Sequence, residues 1–197
     1  MKGGTIALIV VLLLVGFVGC SGCSTQKTLV EKDEQVNGAW GNLQAAYQRR
    51  ADLVPNLVNT VKGAANFEQE TLTQVTNARA RATGITLSSD DLNDPEKVRQ
   101  FQEAQSALSQ GLGRLLAVSE NYPQLRATEA FQGLQTQLEG TENRINTERG
   151  RYNETVVDYN KSARVFPASL VASFLGFKPK QVFQADAGAQ NAPTVQF

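Results

Sequence analysis

Four carboxylates come nearest to what acid–base chemistry would need. Glu142 with Asp158, or Glu68 with Glu120, could serve as proton donor and acceptor. No glycine-rich cradle, metal-ligand spacing or nucleophile elbow accompanies either pair. The chain contains no histidine. That removes the commonest general base, the commonest zinc ligand and every Ser-His or Cys-His nucleophile. Its two cysteines, Cys20 and Cys23, both sit beside the leading apolar run. The body therefore has no thiol nucleophile and no internal disulfide. The expectation is a chain with no catalytic, cofactor-binding or metal-binding residue and no cofactor.

Two polar groupings remain. Arg49, Arg50, Asp52 and Asn56 crowd one short stretch and form a candidate interaction surface. Read sharply, they bind an acidic partner group. Read structurally, the aspartate caps a helix and the arginine stems cover apolar surface. Tyr152-Asn153 and Tyr159-Asn160 repeat seven residues apart. They bind a ligand, or they pack in the core with their hydroxyls satisfied. Glu68 and Arg79 are charged residues on or beside an apolar helical face.

Composition narrows the partners. Lys+Arg and Asp+Glu both number 19, so the chain is neutral. A nucleic-acid binder would show a basic excess, and none is present. At 197 residues the chain can form one domain with a sizeable core.

The amino terminus fixes the compartment. After Lys2 an apolar run extends from Ile6 to Gly19, about 14 residues, short of the roughly 20 a spanning helix needs. It matches the apolar region of a signal peptide. Phe17-Val18-Gly19-Cys20 resembles a bacterial lipobox, in which the cysteine thiol takes a diacylglyceryl group. Phe17 departs from the usual aliphatic residue, and Cys23 is a second, weaker acceptor. An uncleaved signal anchor is the other reading. Both leave Lys2 in the cytoplasm and export the body.

The elements that must position these residues are helical. Val36, Trp40, Leu43 and Tyr47 form one face of a first helix. Pro55 suggests a turn at Ala51–Val54, with Asp52 capping a second helix that runs to about Thr83. Against that turn, Trp40, Tyr47, Val54 and Val61 keep a seven-residue spacing through the proline. A single helix bent there, or a break at Lys62-Gly63 with Asn66 as the next cap, fits as well. Asp94-Pro95-Glu96 starts a third helix that runs to about Asn121. A fourth is expected from about Pro123 to Ala163, with Phe131, Leu138, Ile145, Tyr152 and Tyr159 seven apart as the seam of a bundle. Phe166-Pro167 breaks it, and a short apolar piece with Leu170, Val171, Phe174 and Leu175 follows.

Several motifs in fixed order now stand out. They are Asn37-Gly38-Ala39-Trp40, then Arg49-Arg50, Asp52, Pro55-Asn56-Leu57-Val58 and Lys62-Gly63, then Glu68, Leu72, Ala78 and Arg79. Glu120-Asn121-Tyr122-Pro123, Glu142-Asn143, Arg149, the two Tyr-Asn pairs, Phe166-Pro167 and Pro193-Thr194-Val195-Gln196-Phe197 continue the series. Over most of its length the chain resembles the LemA family of bacterial membrane-associated helical proteins. The resemblance implies an amino-terminal membrane segment and an extracytoplasmic bundle of four-helix type, with no established enzymatic activity. Phe67 stands where the family often has histidine, and Gln26-Lys27 where a Tyr-Asn pair is usual.

The expected organisation is a signal or membrane segment at 1–19, a lipobox cysteine region and linker at 20–25, a helical body at 26–184 and a flexible tail at 185–197. The expected fold is all-α, an antiparallel up-and-down four-helix bundle. The expected function is that of a membrane-anchored protein-interaction or scaffold module in the bacterial envelope. Its partners would be the membrane, through lipid or the leader, and an unidentified envelope protein, with no nucleic acid. A binder of envelope lipid or peptidoglycan fragments in an interhelical groove, or an enzyme using carboxylates, are the alternatives.

Overall fold

The structure, a computed structural model, describes residues 2–63 and 67–184, with side chains from Ser24 onward. Every regular element among the described residues is helical: α1 (Lys2–Lys62), α2 (Gln69–Gly84), α3 (Pro95–Ser119), the one-turn α4 (Pro123–Arg126), α5 (Glu129–Arg164) and α6 (Ala168–Leu175). Cys20 and Cys23, both candidates for lipidation, lie outside the described side chains. The tail at 185–197 lies outside the description altogether. Among the described residues no helix is long and apolar enough to cross a membrane.

The expected turn at Ala51–Val54 does not form. Pro55 lies inside α1, and the helix continues to Lys62 before breaking at Gly63. The seven-residue spacing prevails for an energetic reason. Val54, Leu57, Val58 and Val61 are all buried in line with Trp40, Leu43 and Tyr47. Burying each such side chain contributes about 1.5–3 kcal/mol, against about 3 kcal/mol for one interior proline. Asp52 is therefore mid-helix rather than a cap. It is exposed, and Gln48 Nε2 donates to it at 2.8 Å.

The proline leaves one specific problem, which the fold solves. Pro55 has no N–H to give to the carbonyl four residues back, that of Ala51, and Ala51 is buried. Arg79 Nε on α2 donates to that carbonyl at 2.8 Å. An expected cap at Asn66 lies outside the described residues. The residue that opens α2 is Glu68, whose carboxylate accepts from Thr71 Oγ1 at 2.7 Å instead of bonding the helix backbone.

α3 begins as expected. Asp94 accepts from the backbone N–H of Glu96 at 2.9 Å and of Lys97 at 3.3 Å, with Pro95 at the first position. The helix expected from Pro123 to Ala163 is split. α4 stops at Arg126, and α5 restarts after Thr128, whose hydroxyl accepts from Phe131 N at 3.3 Å. The peptide bond between Phe166 and Pro167 is cis. α6 ends at Gly176, which takes the left-handed conformation (φ 81°) that glycine adopts without a side-chain clash.

α1 packs along α5, and α2 packs against both α3 and α1. The core lies in three tiers. Leu29, Ala163 and Ala172 form the tier nearest the leader. Trp40, Leu43, Tyr47, Phe101, Ile145, Tyr152 and Tyr159 fill the middle, with Leu87 and Leu92 from the α2–α3 connection. Val54 to Val61, Leu72, Val75, Leu108, Leu115, Phe131 and Leu138 fill the far end.

Candidate functional site

The helical register sends the two neighbouring arginines to opposite environments. Arg49, Asp52 and Asn56, spaced by three and four residues, line one exposed stripe of α1. Arg50 turns inward and is only 2% exposed. Its Nη1 donates to Glu142 at 2.9 Å and to the Ser109 hydroxyl. Its Nη2 donates to the carbonyl of Gln105 at 3.1 Å and to that side chain's Oε1 at 2.7 Å. Tyr47 lies under the guanidinium, 5.3 Å from ring centroid to Cζ. The guanidinium thus ties α1 to α3 and α5, while its Nε is buried without a hydrogen-bond acceptor. The four residues expected to form one surface divide into three on the outside and one inside.

Arg50 and Glu142 form part of the wall of a cleft of about 590 Å³ between α1, α3 and α5. Arg99, Glu103, Asn146 and Arg149 also line it, and Gln184 reaches its edge. Arg99 is engaged with Glu96 and Glu103. The lining carries both charge signs and many amide groups. Its hydroxyl groups are those of Tyr47, Ser106 and Ser109, and the Ser109 hydroxyl accepts from Arg50 and donates to Glu142 at 3.5 Å.

The Tyr-Asn repeat has a definite role. Asn153 Nδ2 donates to the carbonyl of Phe183, and Phe183 N donates back to Asn153 Oδ1, both at 2.8 Å. Asn160 does the same one heptad away, giving Nδ2 to Lys180 O at 2.8 Å and accepting from Lys180 N at 2.9 Å. Tyr152 and Tyr159 donate their hydroxyls to the carbonyls of Gln181 and Lys178, each at 3.0 Å. Seven residues of α5 rise about 10.5 Å. The three residues from Lys180 to Phe183 match that rise only if their backbone is nearly fully extended. Residues 177–184 therefore form a strap lying antiparallel on α5, held through its backbone as a neighbouring strand would hold it. Burial pushes the Tyr159 hydroxyl up to about 12, with the Asp33 carboxylate adding to the effect, and pushes Tyr152 higher still.

The strap also closes the core. Phe183 stacks on Trp40 at 5.9 Å and meets Tyr152 edge-on at 5.0 Å. Lys180 is buried and pairs with Asp33 of α1 at 3.0 Å. The interhelical groove expected for a lipid or peptidoglycan fragment would be lined by Trp40, Tyr47, Tyr152 and Tyr159; Phe183 fills the space against Trp40 and Tyr152. Tyr47 alone of those aromatics reaches the cleft.

Glu142 and Asp158 do not meet as acid and base. Glu68 and Glu120 are exposed, and Glu142 is engaged by Arg50. Asp158 lies on α5 beside Lys32, more than four turns from Glu142. Among the described residues no group of three or more acidic or cysteine side chains could hold a metal ion. Sequence reasoning missed Gln105, Ser109, Lys180 and Phe183. For Phe183 the signal was the Tyr-Asn repeat itself, since two amides at heptad spacing need a backbone to hold.

The sequence profile of the LemA family matches residues 39–197. The chain is 27% identical to magnetosome protein MamQ 2 of Paramagnetospirillum magneticum, with 80% of this chain and 64% of that protein covered. It is 26% identical to protein LemA of Metamycoplasma hominis, covering 80% of this chain and 68% of that one. MamQ of Magnetospirillum gryphiswaldense is 25% identical, with 76% and 61% covered. The chain thus spans less than two thirds of the length of the MamQ proteins it matches.

Proposed function

Because the chain belongs to the LemA family, we propose that it is a non-enzymatic, membrane-anchored helical protein that presents its bundle to another protein of the bacterial envelope. The leader holds it at the membrane, with Cys20 as the lipid acceptor, and the body is exported. The order of the core tiers supports an antiparallel up-and-down four-helix bundle. α1 and α3 run away from the leader end, and α2 and α5 return.

The observation that carries this reading is the cleft of about 590 Å³ beside Arg50. Its mixed-sign, amide-rich lining suits a polar peptide segment, whose backbone offers donors and acceptors in alternation. It does not suit an apolar ligand or an isolated anion. A photo-crosslinking residue at Gln102, in the cleft, tests the reading in cells carrying the full chain. A discrete adduct with one envelope protein is expected, lost on Arg149→Glu and absent when the probe sits at exposed Gln124. Adducts formed only within the chain would refute the cleft as the contact.

The lipid or peptidoglycan reading loses its aromatic groove to Phe183. The enzyme reading loses the Glu142–Asp158 pair, whose members lie more than four turns apart on α5.

A further inference from the structure

Among the described residues eight large hydrophobic side chains are exposed, and five of them fall between Val165 and Leu175. Phe174 is 90% exposed, Phe166 76% and Leu170 65%. Leu170 and Phe174 lie one helical turn apart on the outer face of α6, while Ala172 on its inner face packs with Leu29 of α1. From Val165 to Phe177 the sequence has no charged residue, yet exposed Lys161, Arg164 and Lys178 border it on both sides. An uncharged apolar face with a basic rim is the pattern of an element lying in a bilayer interface.

Position supplies the occupant. A groove of about 500 Å³ runs between the part of α1 that carries Ser24 and Thr28 and the α5–α6 connection, with Phe166 and Pro167. Ser24 follows the apolar run by five residues and Cys20 by four. At 1.5 Å per helical residue those separations are about 6–8 Å. A bilayer holding the leader, through its apolar run or through acyl chains on Cys20, reaches the depth of α6 in either case.

We propose that α6 and the preceding Val165-Phe166 form a second, interfacial membrane contact. Phe166, Leu170 and Phe174 enter the acyl boundary of an anionic leaflet, and Lys161, Arg164 and Lys178 meet its headgroups. The contact fixes the tilt of the bundle on the membrane, which a single lipid or leader attachment leaves free. This inference rests on the anchoring proposed above.

The test uses the full chain in vesicles of phosphatidylglycerol and phosphatidylethanolamine carrying brominated acyl chains. Tryptophan is placed at Phe174→Trp or, as a far-end control, at Gln124→Trp on α4. The native Trp40 is buried and contributes equally to both. Vesicle flotation reads the anchor, and bromine quenching reads α6. The expected result is flotation of both variants, with quenching of Phe174→Trp roughly twofold or more above the control. Flotation without that excess quenching overturns the α6 contact and leaves the anchor standing. Absence of flotation overturns both. Shielding of Phe174→Trp from aqueous acrylamide without bromine quenching also overturns the lipid contact, since a second copy or another protein then covers the helix.

Discussion

The junction of Pro55 and Arg79 permits a quantitative test. Pro55 leaves the buried Ala51 carbonyl without its helical donor, and Arg79 Nε supplies one at 2.8 Å. A hydrogen bond involving a charged group contributes about 1.5–3 kcal/mol. Arg79→Ala on the native background should therefore cost about 2 kcal/mol. Pro55→Ala restores an N–H within the helix and relieves the clash of the ring with the same carbonyl, so it should stabilise by about 1 kcal/mol or more. On that background Ala51 O already has a donor, and Arg79→Ala should cost less than about 1 kcal/mol. The double-mutant cycle then gives a coupling of about 1 kcal/mol or more, read from urea unfolding of the four proteins followed by circular dichroism. Additivity within about 0.5 kcal/mol would mean that Arg79 does not substitute for the missing donor, and the account of why α1 passes through Pro55 would be wrong.

Three further outcomes follow from the cleft and the strap. Phe183→Ala should destabilise by about 3–5 kcal/mol and red-shift the emission of Trp40, the chain's one tryptophan; added to Asn153→Ala it should be sub-additive, because both changes release the same strap. Arg50→Lys should lower stability by about 2–4 kcal/mol in urea titrations, since one ammonium cannot replace a fork that bonds two helices, whereas Arg49→Lys should change it by less than about 0.5 kcal/mol. Tyr152 and Tyr159 hold their protons more tightly folded than unfolded, so stability is fully present below about pH 10 and falls as pH rises toward 12 and beyond, by at most about 1.4 kcal/mol per pH unit per tyrosine; Tyr159→Phe should flatten that slope in urea titrations at alkaline pH.

Local signals and tertiary ones were legible in the sequence to different degrees. The Asp94-Pro95 start, the α5 seam and the stop at Phe166-Pro167 depend on residues within a few turns of each other, and all three stand where pattern places them. The division of the last long helix at Ala127-Thr128 was not legible, because Pro123 is an equally good first residue and only the packing of Leu125 and Phe131 in one cluster distinguishes the two starts. The candidate surface was half legible. Spacing alone puts Arg49, Asp52 and Asn56 on one side of a helix and Arg50 on another, but only once Pro55 is known not to turn the chain.

Proline penalties and heptad continuity gave contradictory instructions at Pro55, and the resolution lay outside the local sequence. A proline costs its helix a donor and a steric clash whatever the fold, whereas an apolar stripe has value only if other helices cover it. Arg79 was the clue that they do: a charged residue beside an apolar face needs an acceptor there, and the Ala51 carbonyl is the one acceptor that an interior proline leaves over. The same reasoning applies to the Tyr-Asn repeat. Polar groups on a core seam imply a polar partner, and with no second seam of that kind in the chain the partner had to be backbone. In both places the residue that looked misplaced on its own helix marked the point where another segment must dock. By that reasoning the exposed Leu170 and Phe174 of α6, apolar where a solvent-facing helix should be polar, mark a docking face that none of the described residues covers.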